Sequence, residues 1–310
     1  MVIIIYMKQI FQIFLILYGI FILLSTIAVL IWLWRNRTNG SIWSSGEKRK
    51  YLLYVPHSYD PHKPTPLVIS LHGFGEWPAH QEYLTNWNKL ADEYGFIVVF
   101  PSGKRFPKRW NAMHPPGDEL KPNKDIIFIS DLIQLLEAKY SIDPDRIFVN
   151  GFSNGGGMTL ILSCQLSDRI AAVGMVSGAY FFSWEACHPA RNVPMIIFHG
   201  TEDPIVPYQG GLSIVHNIVF PNIPEFVNEV ASVKGCNEKP EVNQTSANVT
   251  SYEYLNCDAD VVFYSIKGGG HAWPGGQRMP KRIVGFINKE IDATRIMWKF
   301  FMEHPRSTRN

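Results

Sequence analysis

Apolar positions fall into two regimes along this chain. From Lys8 to Arg35 they form one block with no charged residue inside it. Beyond about Lys48 they come in short runs separated by segments with helical spacing. The short runs predict strands at Tyr51–Val55, Leu67–Leu71, Phe96–Phe100, Arg146–Val149, Ala172–Val176, Met195–Phe198 and Val261–Ile266. Several are continuously apolar, as strands covered on both faces are. Between them the spacing predicts helices at Gln81–Tyr94, Ile126–Tyr140, Gly157–Leu166 and Asp292–Glu303. Ile126, Ile129, Ile133 and Leu136 recur at helical intervals and read as a core stripe. This alternation implies an α/β fold with a doubly wound, mostly parallel sheet. Residues 205–256 interrupt it with a longer excursion, a candidate wall or lid for a cleft.

The N-terminal block predicts one transmembrane helix ahead of that fold. Its 26 uncharged residues would extend about 39 Å as a helix, longer than the ~30 Å hydrocarbon core. Trp32 and Trp34 stand at its far boundary, where aromatic belts occur. A secretory signal starting at Met7-Lys8 is the rival reading, with Ser25-Thr26-Ile27-Ala28 as a weak cleavage site. The expected division is therefore a signal-anchor or uncleaved signal at 1–36, a Ser/Asn/Gly-rich linker at 37–47, and a catalytic domain at 48–305. Arg35, Arg37, Lys48, Arg49 and Lys50 after the block favour a cytoplasmic C-terminal part. Four cysteines, Cys164, Cys187, Cys236 and Cys257, with no Cys-x-x-Cys motif, favour disulfides and an oxidising compartment. Glycosylation sequons at Asn36, Asn39, Asn243 and Asn248 carry weight only in a eukaryotic secretory pathway. The balance favours an anchored extracytoplasmic domain or a secreted one.

With 46% hydrophobic and 18% charged residues, the 310-residue chain can build a sizeable core. A formal net charge of +2 without a basic run gives no footprint for nucleic acid. Histidines and carboxylates are scattered without zinc-site spacing, so no metal and no cofactor is expected.

Candidate chemistry centres on Gly151-Phe152-Ser153-Asn154-Gly155, the only Gly-x-Ser-x-Gly in the chain. A predicted strand precedes it and a predicted helix follows, the setting of the α/β-hydrolase nucleophile elbow. A turn whose serine merely caps a helix is the alternative. A serine needs a base, and the base needs an acid to orient it, in the chain order Ser, Asp or Glu, His. Of His188, His199, His216, His271 and His304, His271 stands out on a Gly/Pro-rich loop after a strand. Asp203 follows the strand Met195–Phe198 and is the best acid, with Glu202 as rival. The two oxyanion donors are expected from the backbone of Asn154 and of Phe74 in Leu71-His72-Gly73-Phe74-Gly75. His72 precedes the serine and reads as structural.

Together these segments resemble the polyhydroxybutyrate depolymerase-like esterases, a group that includes feruloyl and acetylxylan esterases. The matching pieces run from about Tyr51 to Trp298. They include Leu71-His72-Gly73, Trp110-Asn111, the serine motif with Gly156 after it, His199-Gly200-Thr201-Glu202-Asp203, Gly235-Cys236, and Gly269-Gly270-His271-Ala272-Trp273-Pro274-Gly275. The resemblance implies a serine carboxylic ester hydrolase with Ser153 as nucleophile, Asp203 as acid, His271 as base, and Phe74 and Asn154 as oxyanion donors. It implies a Cys236–Cys257 pair, and Trp273 and Trp110 beside the substrate. Small or oligomeric esters are the implied substrates: hydroxyalkanoate oligomers, or feruloyl and acetyl esters of plant polysaccharide. Two departures bear on the cleft: Lys124 precedes Asp125 where the family has a second aspartate, and Val230 stands where it often has tryptophan. A serine peptidase of the same fold and a non-catalytic binding scaffold remain alternative readings.

Overall fold

Strands that are apolar on both faces need a layer of helices on each side, and the computed structural model has that arrangement. It describes residues 2–112, 123–181, 187–213, 218–236, 239–255 and 257–306. The chain divides into two compact units, Met1–Arg37 and Thr38–Asn310.

The first unit is a single helix, α1 (Val2–Arg35). Its stretch Gln9–Arg35 is long and apolar enough to cross a membrane. Among the described residues its apolar side chains from Tyr6 to Trp34 are exposed all round rather than along one stripe.

The second unit is built on β1 (Gly40–Ser44), β2 (Glu47–Tyr54), β3 (Thr65–Leu71), β4 (Ile97–Pro101), β5 (Ile142–Phe152), β6 (Ala172–Val176) and β7 (Met195–Gly200). A small hairpin, β8 (Gly211–Ser213) and β9 (Ile218–Phe220), follows, then β10 (Glu241–Ser246), β11 (Val249–Tyr254) and β12 (Val261–Ile266). Among the described residues the main sheet runs β1-β2-β4-β3-β5-β6-β7-β12-β11-β10. Its centre, β4 through β12, is parallel, and antiparallel strands close both edges.

Alternation within the buried strands sorts side chains to the two faces. Leu67, Ile69 and Leu71 of β3 join one core with α4 (Lys124–Lys139), α5 (Asn154–Gln165) and α6 (Ile223–Val233). The expected stripe Ile126, Ile129, Ile133 and Leu136 lies in this core. Val68 of β3 and Phe100 of β4 join the other core, with α2 (Pro78–Thr85), α3 (Trp87–Tyr94) and α8 (Ala293–Glu303). A one-turn helix, α7 (Lys281–Val284), follows the loop after β12.

Three sequence expectations change. The linker at 37–47 is not a linker: Gly40–Ser44 pairs antiparallel with β2, and Asn39 exchanges two hydrogen bonds with the Leu53 backbone, at 2.7 and 2.8 Å. The single helix Gln81–Tyr94 is two, broken at Asn86 with φ 55°, a conformation asparagine tolerates. The excursion at 205–256 is largely regular, and its β10–β11 hairpin extends the main sheet. The cysteines form two disulfides, Cys164–Cys187 and Cys236–Cys257. The first fastens α5, the helix that follows Ser153, to the segment leading into β7.

Candidate active site

In a parallel sheet every strand delivers its following loop to the same edge. Here the loops after β3, β4, β5, β7 and β12 carry Phe74, Trp110, Ser153, Asp203 and His271 respectively. Sequence distances of up to about two hundred residues collapse onto one edge for that topological reason.

Ser153 sits between β5 and α5 with φ 54° and ψ −118°. A non-glycine residue in this region is strained and must be held by its surroundings. Its N–H donates to the Val176 carbonyl at 3.0 Å, and its carbonyl accepts from Gly157 and Ala179 at 3.1 and 3.0 Å. The flanking glycines are steric requirements. A Cβ on Gly151 would lie 2.2 Å from the Gly155 carbonyl oxygen, and one on Gly155 would lie 2.4 Å from that of Leu71. The Ser153 side chain makes no capping hydrogen bond to α5, so the capping alternative does not describe this serine.

Asp203 and His271 are brought together: His271 Nδ1 lies 2.8 Å from Asp203 Oδ2, and both residues are buried. The other carboxylate oxygen accepts from the Ile205 and Val206 N–H groups, each at 2.8 Å. Burial pushes the Asp203 carboxyl up, but the neighbouring His271, His199 and Val206 N–H outweigh it and hold it below its ordinary value. Glu202, the rival acid, is exposed. His271 is placed by its loop, whose N–H donates to Val284 at 2.6 Å. That loop passes so close to β7 that a Cβ on Gly200 would lie 2.2 Å from the Gly269 oxygen. The His271 ring lies 4.9 Å from that of Phe152, the residue before Ser153.

His199 was not singled out by its sequence context, yet its Nε2 lies 3.4 Å from Asp203 Oδ2 and 3.0 Å from the Val206 carbonyl. Burial dominates and lowers its pKa, keeping it neutral beneath the carboxylate. The readable signal was a histidine at a strand end four residues before the acid. His304 pairs instead with Asp260, at 2.8 Å, and His216 lies outside the described residues.

Asn154 is the first residue of α5, so its N–H has no acceptor within the helix. Its side chain does a second job that its sequence position does not announce. The amide accepts from the Trp110 N–H at 2.7 Å and donates to the Trp110 carbonyl at 3.2 Å. Phe74, Ser153, Asn154 and Trp110 all border one cavity of about 960 Å³. Trp110 is nearly buried, and its indole N–H donates to the His72 carbonyl at 2.9 Å. Trp273 does not belong to that wall. Its indole is fully buried in the core on the α8 side and donates to Thr294 Oγ1 at 2.9 Å.

His72 is structural, as its position suggested. Its Nε2 accepts from the Gly103 N–H at 2.9 Å, so the proton sits on Nδ1, 2.7 Å from the Gly73 carbonyl. Burial, the main cause, lowers its pKa from 6.5 to about 4. The unfolded chain takes up this proton near 6.5, whereas the folded one refuses it down to about 4. Its contribution is therefore complete above 6.5 and drains away as pH falls towards 4, by up to about 3 kcal/mol. Urea unfolding should show a lower midpoint at pH 5 than at pH 7.5, and His72→Gln should flatten that slope. A stability unchanged across this range would contradict a buried His72 that stays neutral to about pH 4.

The chain resembles known proteins in sequence and in fold. A family model described as Phospholipase/Carboxylesterase matches residues 57–219. Feruloyl esterase B of Piromyces equi is 33% identical over 239 residues, covering 74% of this chain and 44% of that protein. A bifunctional acetylxylan esterase/xylanase of Neocallimastix patriciarum is 28% identical over 282 residues, covering 80% of this chain and 38% of that protein. The chain thus spans less than half the length of these two relatives. Among solved structures, acetyl xylan esterase from Aspergillus awamori superposes with a TM-score of 0.55 at 20% identity, covering 77% of this chain and 91% of that one. At that identity the likeness concerns the fold.

Proposed function

This chain belongs to the phospholipase/carboxylesterase family of α/β-hydrolases, and on that premise we propose that it is a serine carboxylic ester hydrolase working through an acyl-enzyme. The observation that carries the reading is the buried Asp203–His271 pair at 2.8 Å, on the same sheet edge as a serine held at positive φ. In this reading His271 takes the Ser153 proton as Oγ attacks the ester carbonyl. The Asn154 and Phe74 N–H groups receive the oxyanion. His271 then gives that proton to the departing alcohol, and the acyl group stays on Ser153. Water, deprotonated by His271, releases the acid and restores the serine. Asp203 stays ionised throughout, fixing the imidazole tautomer and offsetting the imidazolium charge.

The substrate class we favour is feruloyl or acetyl esters of plant polysaccharide, ahead of hydroxyalkanoate oligomers. The names of the matched relatives support it, as does a cavity bordered by Phe74, Phe181 and Phe220. We further propose that residues 1–36 act as a signal-anchor and that the unit beginning at Thr38 works outside the cytoplasm, where its two disulfides would persist. The test uses the full chain in detergent, assayed on methyl ferulate, acetylated xylan, a hydroxybutyrate trimer and a peptide anilide. Methyl ferulate or acetylated xylan should lead the trimer by at least about tenfold in kcat/KM, a difference of ~1.4 kcal/mol. A leading trimer would reverse the substrate class, and a leading anilide would sink the ester reading.

A further inference from the structure

We propose that the cavity carries a cationic subsite, built on Arg105 and Arg109, that binds a carboxylate borne by the ester substrate. The inference deepens the ester-hydrolase reading and rests on it. The cavity lining has two chemical characters. Beside Ser153 it includes the apolar Ala179, Phe181, Val206 and Phe220. It also draws on β2, the turn after β4 and the start of α4, and among those residues charge dominates.

Pairing accounts for most of that charge. Glu47 holds Lys124 at 2.7 Å and Lys104 at 3.6 Å. Asp125 holds Arg49 at 2.7 Å and accepts from the Asn111 N–H at 2.8 Å. Both carboxylates that line the cavity among the described residues are thereby committed. Arg105 and Arg109 also line it, and neither has an ion-pair partner among the described residues. Two lining guanidinium groups without an ion-pair partner among the described residues favour an anion, and the guanidinium fork matches a carboxylate in particular.

The turn that carries the two arginines is fixed against the reaction centre rather than left as a free surface loop. The Gly103 N–H is held by His72, and the Lys108 carbonyl accepts from Gly75 at 2.7 Å. The Trp110 backbone is clamped by the Asn154 side chain. The turn closes with Arg109 N–H donating to Lys104 at 3.0 Å. Arg105 has φ 70° there, a left-handed conformation that a glycine would adopt without strain. The Arg109 guanidinium lies 5.9 Å from the centre of the Phe74 ring, on the loop expected to supply an oxyanion donor. A carboxylate bound by these arginines would share one cavity with Ser153 and would help orient the ester carbonyl.

Two sources could present that carboxylate: the acyl chain, as in a dicarboxylic monoester or an acid-ended oligoester, or the alcohol, as in a uronate-bearing saccharide. The experiment separates them with two matched pairs, assayed on the full chain and corrected for spontaneous hydrolysis. The acyl pair is mono-p-nitrophenyl glutarate against p-nitrophenyl pentanoate. The alcohol pair is the acetate ester of para-hydroxybenzoate against that of para-hydroxybenzamide. We expect the anionic member of one pair to be preferred at least about tenfold in kcat/KM, mainly through KM. Raised salt should erode that preference in the unaltered protein. Arg105→Gln/Arg109→Gln should reduce the anionic-to-neutral ratio by a similar factor. Neutral esters turned over as well as anionic ones in both pairs would overturn the subsite. A preference insensitive to salt and to the double variant would overturn its assignment to these arginines. No turnover of any ester, with Ser153 unlabelled by a fluorophosphonate, would instead bring down the ester-hydrolase reading and this subsite with it.

Discussion

Replacing Ser153 with alanine should lower p-nitrophenyl acetate turnover on the order of 10⁵-fold, to what binding and the oxyanion donors alone can supply. The hydroxyl is the only nucleophile that the turn between β5 and α5 presents, and nothing else at that position can accept the acyl group. A fluorophosphonate should label the unaltered chain at Ser153 and leave the variant unlabelled. The same residue gives a second, opposite readout. At φ 54° and ψ −118° every side chain is strained, and glycine is not. Ser153→Gly should therefore be as inactive as Ser153→Ala and yet unfold at a higher temperature, because the strain is relieved. Residual activity within about a hundredfold of the unaltered protein would remove Ser153 from the mechanism. A Ser153→Gly protein no more stable than Ser153→Ala would show that the turn stores no strain.

Asp203→Asn should cost nearly as much, about 10⁴-fold in kcat, with KM little changed. The amide retains an oxygen for the Ile205 and Val206 N–H groups, so the loop geometry has no reason to collapse. What changes is the side facing His271. An amide N–H there favours the tautomer with the proton on Nε2, which cannot accept the serine proton. It also offers no charge against the imidazolium. The substitution removes an acid-sensitive contribution as well. Because the Asp203 carboxyl is held below its ordinary value, it stabilises the fold above that value. The contribution disappears as pH falls through the lowered one. Steady-state kinetics and acid unfolding curves of the variant test the two statements separately, and a kcat within tenfold of the unaltered protein would reassign the acid.

The parts of this site legible in the sequence are those where one residue type is sterically compelled. Gly151 and Gly155 betray the turn around Ser153 because any Cβ there would collide with backbone. The glycines before His271 mark a loop that must pass against β7. Asp203 and its rival Glu202 are adjacent carboxylates, and the fold buries the first and exposes the second. Trp273 shows the converse. An indole beside the His271 loop suits a cleft wall or a core equally, and the Thr294 hydroxyl at 2.9 Å decides for the core. The strand β1 was read as a linker because an edge strand needs little apolar alternation; its pairing with β2 is backbone chemistry, which composition does not reveal. The Asn154 clamp on Trp110 and the Arg49–Asp125 pair join residues more than forty positions apart, so no local pattern could announce them.

The order of strands across the sheet sets the order in which this site can be completed during synthesis. β12, which precedes the loop holding His271, pairs in parallel with β7, which precedes Asp203, and joins the central sheet after every other parallel strand has been synthesised. A growing chain that has emerged only as far as the loop after β7 contains Ser153 and Asp203 but lacks His271, the base of the proposed mechanism. The Asp203–His271 pair therefore forms only after that strand has been made, and on the proposed mechanism hydrolytic power comes no earlier.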